Sequence, residues 1–200
     1  MPSTVAIVEG HGDVDSFPIL AGKIAGWLGE PCYLSKPIRG GEWRKLRRAG
    51  ELEKLVDLAC TRDGVQRVLF VVDLDDDCPI EEKQKVESRR VALSQRYGVD
   101  IQICFSMREF EAWILNDLES VSAACRDYDW TKKHAVDDPQ TLRDAKGPLR
   151  QMLGAYSETV DQPALTKGIN PKALYEKDRS FRKFVKDLSG LDYEALQAAL

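Results

Sequence analysis

Apolar positions in the first half of the chain alternate between short blocks and stretches with helical spacing. Thr4 to Val8 form a largely apolar run ended by Glu9-Gly10-His11-Gly12, which predicts a buried strand entering a glycine turn. Asp13 to Leu28 then places Phe17, Leu20, Ile24 and Trp27 or Leu28 at helical spacing, with Pro18 expected in the first turn, where its missing donor costs little. A second extended piece, Cys32 to Ile38, meets Gly40-Gly41, and Trp43, Leu46, Leu55 and Ala59 mark one or two helices ending near Gly64. The clearest strand is Val68 to Val72, ending at Asp73. A charged helix is expected from Ile80 to about Tyr97, closed by Gly98, then a strand from Val99 to Phe105 and a helix from near Met107 carrying Phe110, Trp113 and Ile114 on one stripe. Four strand–helix alternations with short connections predict an α/β fold: a mainly parallel four-stranded sheet with helices on both faces.

The alternation stops near residue 120. Tyr128 to Pro139 is polar, and short helices are expected around Leu142 to Leu153, Pro171 to Lys177 and Phe181 to Leu188. The reading is therefore an α/β core over 1–120 and a helical C-terminal extension over 121–200, with Phe181 and Phe184 packing the extension to the core. The extension is too poor in apolar residues to form a core of its own.

Composition narrows this picture only a little. With 200 residues, 43% hydrophobic and 31% charged, the chain can bury a real core and is not disordered throughout. A net charge of -4 argues against a polybasic mode of nucleic-acid binding over the whole protein, but leaves room for a local basic face. Five cysteines, 18 to 28 positions apart, show no zinc spacing and read as reduced thiols. No apolar run approaches the ~20 residues that span a bilayer, and Met-Pro-Ser-Thr leads straight into a strand. The expectation is a cytoplasmic protein without a membrane partner.

The candidate chemistry lies at strand ends. Glu9, Asp73 and Glu109 all fall at or just past the carboxyl ends of predicted strands, the edge at which open α/β sheets bind ligands. Each alone could simply cap a helix. Asp73 and Asp75, with Asp76 and Asp77 following, can turn several hard oxygen ligands toward one point, and such a cluster calls for a cation, Mg²⁺ or alternatively Mn²⁺. Asp73, Asp75 and Asp77 are the candidates from this turn. Glu109 and Glu111 would lie about 200° apart on a regular helix, so one of them faces the site: Glu109 by nearness to the strand, Glu111 if the first turn is irregular. Gly10, His11 and Gly12, beside Asp13 at the start of a helix, could admit a phosphate, as could Arg108, although the spacing is neither a Walker loop nor a dinucleotide fingerprint.

The run Val5-Ala-Ile-Val-Glu-Gly-His-Gly-Asp13, with Val71-Val-Asp-Leu-Asp75 further on, resembles the TOPRIM superfamily, the catalytic fold of topoisomerases, bacterial primases and nucleases related to overcoming-lysogenization-defect proteins. The resemblance implies a TOPRIM/Rossmann-like fold in which Glu9, Asp73 and Asp75 hold Mg²⁺. Through Glu9-Gly-His-Gly-Asp13, Asp73-Leu-Asp-Asp-Asp77 and Arg108-Glu-Phe-Glu-Ala-Trp113, the chain more closely resembles the bacterial family called domain of unknown function 4276. Tyr156-Ser-Glu-Thr159, Asp161-Gln162 and Ser180-Phe-Arg-Lys-Phe184 extend that resemblance over nearly the whole chain. The superfamily implies metal-dependent phosphodiester hydrolysis of DNA or RNA, in bacterial phage defence or DNA processing.

Basic residues cluster where such a substrate could lie. Lys36, Arg39, Arg44, Lys45, Arg47 and Arg48 bring six positive charges within thirteen residues, with Arg39, Arg44 and Lys45 as candidate phosphate contacts and Trp43, by its spacing with Leu46, as core. A second concentration runs from Lys167 to Lys186. Lys146, in the extension, is a candidate for a cation at the transition state. Two rivals stand beside hydrolysis of nucleic acid. Asp73-Leu-Asp75 also resembles the nucleophile pair of haloacid-dehalogenase-like phosphatases and phosphotransferases, but follows the third strand where theirs follows the first. The other is a noncatalytic, metal-stabilised binding protein, a homodimer or the companion of an ATPase, since the chain itself has no P-loop.

Overall fold

The computed structural model describes residues 3–74, 77–107 and 109–200, with no account of the Met107 side chain. The strands are β1 (Ser3–Val8), β2 (Leu34–Arg39), β3 (Val65–Leu74) and β4 (Asp100–Met107), all parallel, in the order β2-β1-β3-β4. Pairings such as Ile7 with Phe70 and Phe70 with Ile103 set the register across the central strands. The predicted α/β class and its four strands are thus observed, with β3 starting earlier than its apolar block and β2 ending one residue later.

Because strand side chains alternate faces, each central strand serves two cores at once. Ala6, Val8, Leu69, Val71 and Cys104 point into one, and Val5, Ile7, Val68, Phe70, Val72, Ile101 and Ile103 into the other. The second face is covered by α2 (Trp43–Leu46), α3 (Glu51–Ala59) and α4 (Pro79–Tyr97), through Leu46, Leu52, Val56, Val86 and Leu93. The first is covered by α1 (His11–Leu28) together with α5 (Glu111–Asn116) and α6 (Leu118–Ala124).

The rest of that first layer comes from the last third of the chain. Helices α7 (Lys146–Leu153), α8 (Asp161–Thr166), α9 (Pro171–Lys177), α10 (Arg179–Ser189) and α11 (Tyr193–Ala198) share one hydrophobic cluster with α1 and the sheet. Two of these, α8 and α11, lie outside the expected helical stretches; at six residues each they are too short for a helical period to stand out. Phe17 of α1 meets Phe110 and Phe184 edge-on at ring distances of 5.2 and 5.3 Å, and Trp113 of α5 meets Phe181 at 5.2 Å. Trp113 Nε1 also donates to Ser180 Oγ at 2.9 Å, so the aromatic cluster has its polar end satisfied.

Pro18 is not in a first turn. Helix α1 begins at His11, two residues earlier than expected, and carries Pro18 within it. The interior proline removes a helix hydrogen bond at a cost of about 3 kcal/mol. Its helix is sustained by the buried face of Phe17, Leu20, Ala21 and Ile24 and closed by left-handed Gly29.

On the second face a buried ion cluster ties α2 to α4. Glu82, 1% exposed, accepts from Trp43 Nε1 at 2.8 Å, from Arg47 at 2.8 Å and from Lys85. Burial alone would raise its pKa, but the hydrogen bonds from Lys85, Arg47 and Trp43 prevail and hold it at about 2. A carboxyl whose folded pKa lies below its unfolded value stabilises the protein above the unfolded value, near 4.5, and loses that contribution as pH falls toward 2. Glu82→Ala is expected to lower stability at neutral pH by about 3 kcal/mol, leaving Trp43 and Arg47 without their acceptor. Urea denaturation of both proteins should show the difference shrinking by roughly 2 kcal/mol between pH 7 and pH 3.

Candidate functional site

Strand order places the site. Chain leaving β1 passes through α1 to β2 on one side, whereas β3 and β4 lie on the other, so the connections diverge between β1 and β3. At such a switch point a crevice opens beyond the carboxyl ends of the strands. Glu9 follows β1, Asp73 is near the end of β3, and Glu9 Oε2 accepts from the Asp73 amide at 3.2 Å. A cleft of about 500 Å³ stands over them, its walls including Asp13, Arg39, Lys45, Glu111, Lys146 and Gln162. A smaller one of about 280 Å³ adjoins it, sharing Glu9, Glu42 and Asp73 and reaching to Arg44 and Asp77.

The electrostatics of the floor are those of crowded carboxylates. Asp73 is pushed well above the usual carboxylate range, first by withdrawal from water and then by the charges of Asp13, Glu9, Glu111 and Glu109. Glu111, 2% exposed, is raised by burial to about 7, a shift that Lys146 and the hydrogen bond from Tyr156 restrain. Asp13 is raised by burial as well, opposed by its bonds to Gly10 and Gln162.

Glu109 and Glu111 have different surroundings, because the turn into α5 is closed by the Ala112 and Trp113 amides bonding three residues back, to Glu109 and Phe110. Glu109 precedes α5, and its Oε2 accepts from the amides of Ala145 and Lys146 at 2.8 and 3.3 Å, while Oε1 lies 3.2 Å from Lys146 Nζ. Glu111 opens α5 and lines the cleft. Lys146 is brought in by the extension and also holds Glu158 at 2.9 Å. Burial disfavours its charge, but Glu111, Glu158 and Glu109 raise its pKa above that of an ordinary lysine.

The glycine turn is used differently from the expected phosphate approach. Gly10 N–H donates to Asp13 Oδ2 at 2.8 Å, so the carboxylate at the third helical position caps the helix where an anion was expected. Gly12 faces the extension: a Cβ there would lie 2.1 Å from Gln162 Oε1 and 2.3 Å from the Glu158 carbonyl oxygen. His11 Nε2 is 2.8 Å from Arg39 Nη1 at the cleft rim. Arg44 and Asp77 line the smaller cleft, and Asp77 lies 4.0 Å from Arg47. Asp75 and Arg108 lie outside the described residues. Among the described residues, no three His, Cys, Asp or Glu side chains form a group that could hold a metal ion, and no helix is long and apolar enough to cross a membrane.

Residues of the extension complete the site in a way that chain order conceals. Tyr156 Oη donates to Glu111 Oε1 at 2.8 Å, and Gln162 Nε2 donates to Asp13 Oδ1 at 2.7 Å. Glu42, Glu158 and Gln162 line the cleft and had no assigned role in the sequence reading. The segments Tyr156 to Thr159 and Asp161-Gln162 were the available signal, because they carry the family resemblance far from the acidic strand ends. The second basic concentration, Lys167 to Lys186, contributes nothing to either cleft among the described residues.

Residues 8–189 match the model of the family described as Domain of unknown function (DUF4276). The chain belongs to that family. No curated protein and no solved structure matches it. The DUF4276 match runs from the last residue of β1 to the end of α10, so the family boundary encloses Glu9, Asp73 and Glu111 together with Lys146, Tyr156 and Gln162.

The close approach at Gly12 gives a direct check on this two-part construction. Gly12→Ala must displace the backbone at Glu158, and overpacking of this kind costs about 1–3 kcal/mol. Thermal unfolding is expected to shift down by roughly 4–8 °C, and hydrogen exchange should quicken in 156–162 more than in the sheet.

Proposed function

We propose that the DUF4276 chain is a metal-dependent phosphodiesterase acting on nucleic acid, a TOPRIM-like nuclease with Mg²⁺ or Mn²⁺ as its cofactor. The observation that carries this reading is the convergence of Glu9, Asp13, Asp73 and Glu111 at the β1/β3 switch point, where Asp73 is under the combined charge of its neighbours. Acids so placed repel one another and call for a counterion. The donors are carboxylate oxygens, and the cleft histidine, His11, is engaged with Arg39; this set suits a hard cation and not zinc. Glu9, Asp73 and Glu111 line the cleft without forming a ready coordination group among the described residues, so they would have to draw together on the ion, joined by Asp75 in the role that the superfamily resemblance implies.

The chemistry that a divalent ion would supply there is polarisation of a phosphoryl oxygen and a lowered pKa for water. The chain's own residues supply the rest. Glu9 is positioned by the Asp73 amide, and Tyr156 fixes one oxygen of Glu111, so both acids are oriented before substrate arrives. Arg39 and Lys45 stand at the rim, where a phosphate would meet positive charge before it meets the acidic floor. Lys146, held charged between Glu109 and Glu158, is placed to offset charge that develops on the phosphate. A setting in phage defence or DNA processing, alone or beside an ATPase, follows from the superfamily resemblance.

Incubation of DNA and RNA oligonucleotides with the protein in Mg²⁺ or Mn²⁺ is expected to give cleavage that EDTA abolishes. Asp73→Asn and Glu111→Gln should each lower the rate by about 100-fold or more while leaving circular dichroism unchanged. Absence of cleavage with either metal on every nucleic acid, or cleavage indifferent to both variants, would overturn the reading. Metal binding has a separate readout: at Mn²⁺ about 100 times its dissociation constant, linkage adds about 2.7 kcal/mol, a rise of roughly 5–10 °C in the unfolding midpoint. Asp73→Asn should lose most of that rise.

A further inference from the structure

Among the described residues, two buried side-chain polar atoms have no hydrogen-bond partner, Ser16 Oγ and Ser106 Oγ. Ser16 stands within α1, where a serine hydroxyl can turn to the carbonyl one helical turn back. Ser106 stands on β4, only 3% exposed, and a strand offers it no such resort. An unbonded hydroxyl is costly to bury, and alanine would fill almost the same space without that cost. The use of the hydroxyl has therefore to be sought in what lies beside it.

Register identifies the neighbour. Ser106 is paired with Asp73 across β3 and β4. Val71 and Cys104 belong to the core under α1 and α5, whereas Val72, Leu74, Ile103 and Phe105 belong to the core on the opposite face. Alternation along the two strands thus turns Asp73 and Ser106 side by side onto the first face. That is the layer from which α1 supplies Asp13 and α5 supplies Glu111. The two residues differ in access: Asp73 lines both clefts and Ser106 lines neither. The carboxylate meets the cleft, while the hydroxyl beside it is enclosed in protein.

A carboxylate that serves as a metal ligand keeps acceptor capacity to spare, and protein donors that fill it fix its orientation. Around Asp73 the charged neighbours are acids: Asp13, Glu9, Glu111 and Glu109 all act on it as like charges, and an ionised carboxylate cannot donate. Ser106 Oγ is a neutral donor at the adjoining register position with its proton uncommitted. We infer that Ser106 is a positioning residue for Asp73: its hydroxyl donates to the enclosed oxygen of the carboxylate and leaves the other oxygen to the divalent ion. The inference rests on the metal-dependent reading above and adds to it a residue that touches neither cleft.

The test measures Mn²⁺ binding to the full chain from the paramagnetic resonance signal of the free ion, for wild type, Ser106→Ala and Ser106→Thr, with thermal unfolding in EDTA and cleavage kinetics alongside. Ser106→Ala is expected to weaken Mn²⁺ binding about tenfold or more and to lower kcat more than it raises KM, while unfolding in EDTA at the wild-type temperature or slightly above it. Ser106→Thr, which keeps the hydroxyl, should bind Mn²⁺ within about threefold of wild type. A hydroxyl that served packing alone would show the reverse, a lower midpoint in EDTA with unchanged Mn²⁺ affinity, and that result would overturn the inference. Equal losses of Mn²⁺ affinity in the alanine and threonine variants would overturn it too. Failure of the nuclease reading looks different: Mn²⁺ binding that Ser106→Ala weakens, with no cleavage of any nucleic acid, supports the positioning role and rejects the nuclease. A wild-type chain that binds no Mn²⁺ would overturn both.

Discussion

A parallel sheet whose strand order reverses must part its connections, and in this molecule everything of chemical interest gathers where β1 and β3 part. Pairing between the two strands continues up to Val8 and Val71, after which the chain leaves β1 for α1 while β3 runs on beside β4 to Leu74. Glu9 and Asp73 lie just beyond, close enough for the Glu9 carboxylate to accept the Asp73 amide. Two acids that are 64 positions apart in the chain thus become neighbours through topology alone. Their closeness is unfavourable electrostatically, and the core below tolerates it because alternating side chains on β1 and β3 are buried on both faces.

The extension answers the same constraint from above. A doubly covered sheet needs two layers of helices, and α1 with α5 and α6 leaves part of the first face, against β4, to α10. Phe181 and Phe184 make this layer hydrophobic where it meets Phe17 and Trp113. With the helices docked there, the turn before α7 reaches Glu109, the loop before α8 reaches Glu111 through Tyr156, and α8 itself reaches Asp13 through Gln162. Packing and charge placement are therefore one arrangement: the apolar contacts that complete the layer also deliver Lys146 to three surrounding glutamates.

Much of this was legible in the chain, and the exceptions have definite physical causes. Buried parallel strands read as continuous apolar blocks, so β1, β3 and β4 stood out, as did the acids that end two of them. Trp43 and Leu46 were read as core from spacing and are buried, as are Phe181 and Phe184. The start of α1 was not legible, because the glycines around His11 look like a loop unless Asp13 is seen to return to the Gly10 amide. The different surroundings of Glu109 and Glu111 follow from where α5 begins and from Lys146, which meets Glu109 only in the folded chain. Tyr156, Glu158 and Gln162 could not be assigned from spacing at all: their partners, Glu111, Lys146 and Asp13, include residues up to 149 positions away.

Net charge takes on a different meaning once side chains are placed. The six positive residues between 36 and 48 do not form one strip. Arg47 turns inward to Glu82 and steadies α2, whereas Arg39, Arg44 and Lys45 are exposed around the clefts. The same short segment thus supplies both an anchor and a rim, and the anchor is what holds the rim in place: with Trp43 and Arg47 fixed to Glu82, the intervening Arg44 and Lys45 can only project outward. An overall charge of -4 then describes a molecule whose negative excess is concentrated in part at the floor of a cleft edged with cations. For an anionic substrate, attraction at the edge and repulsion at the floor act in opposite directions, and the balance turns on whether a divalent cation occupies the floor.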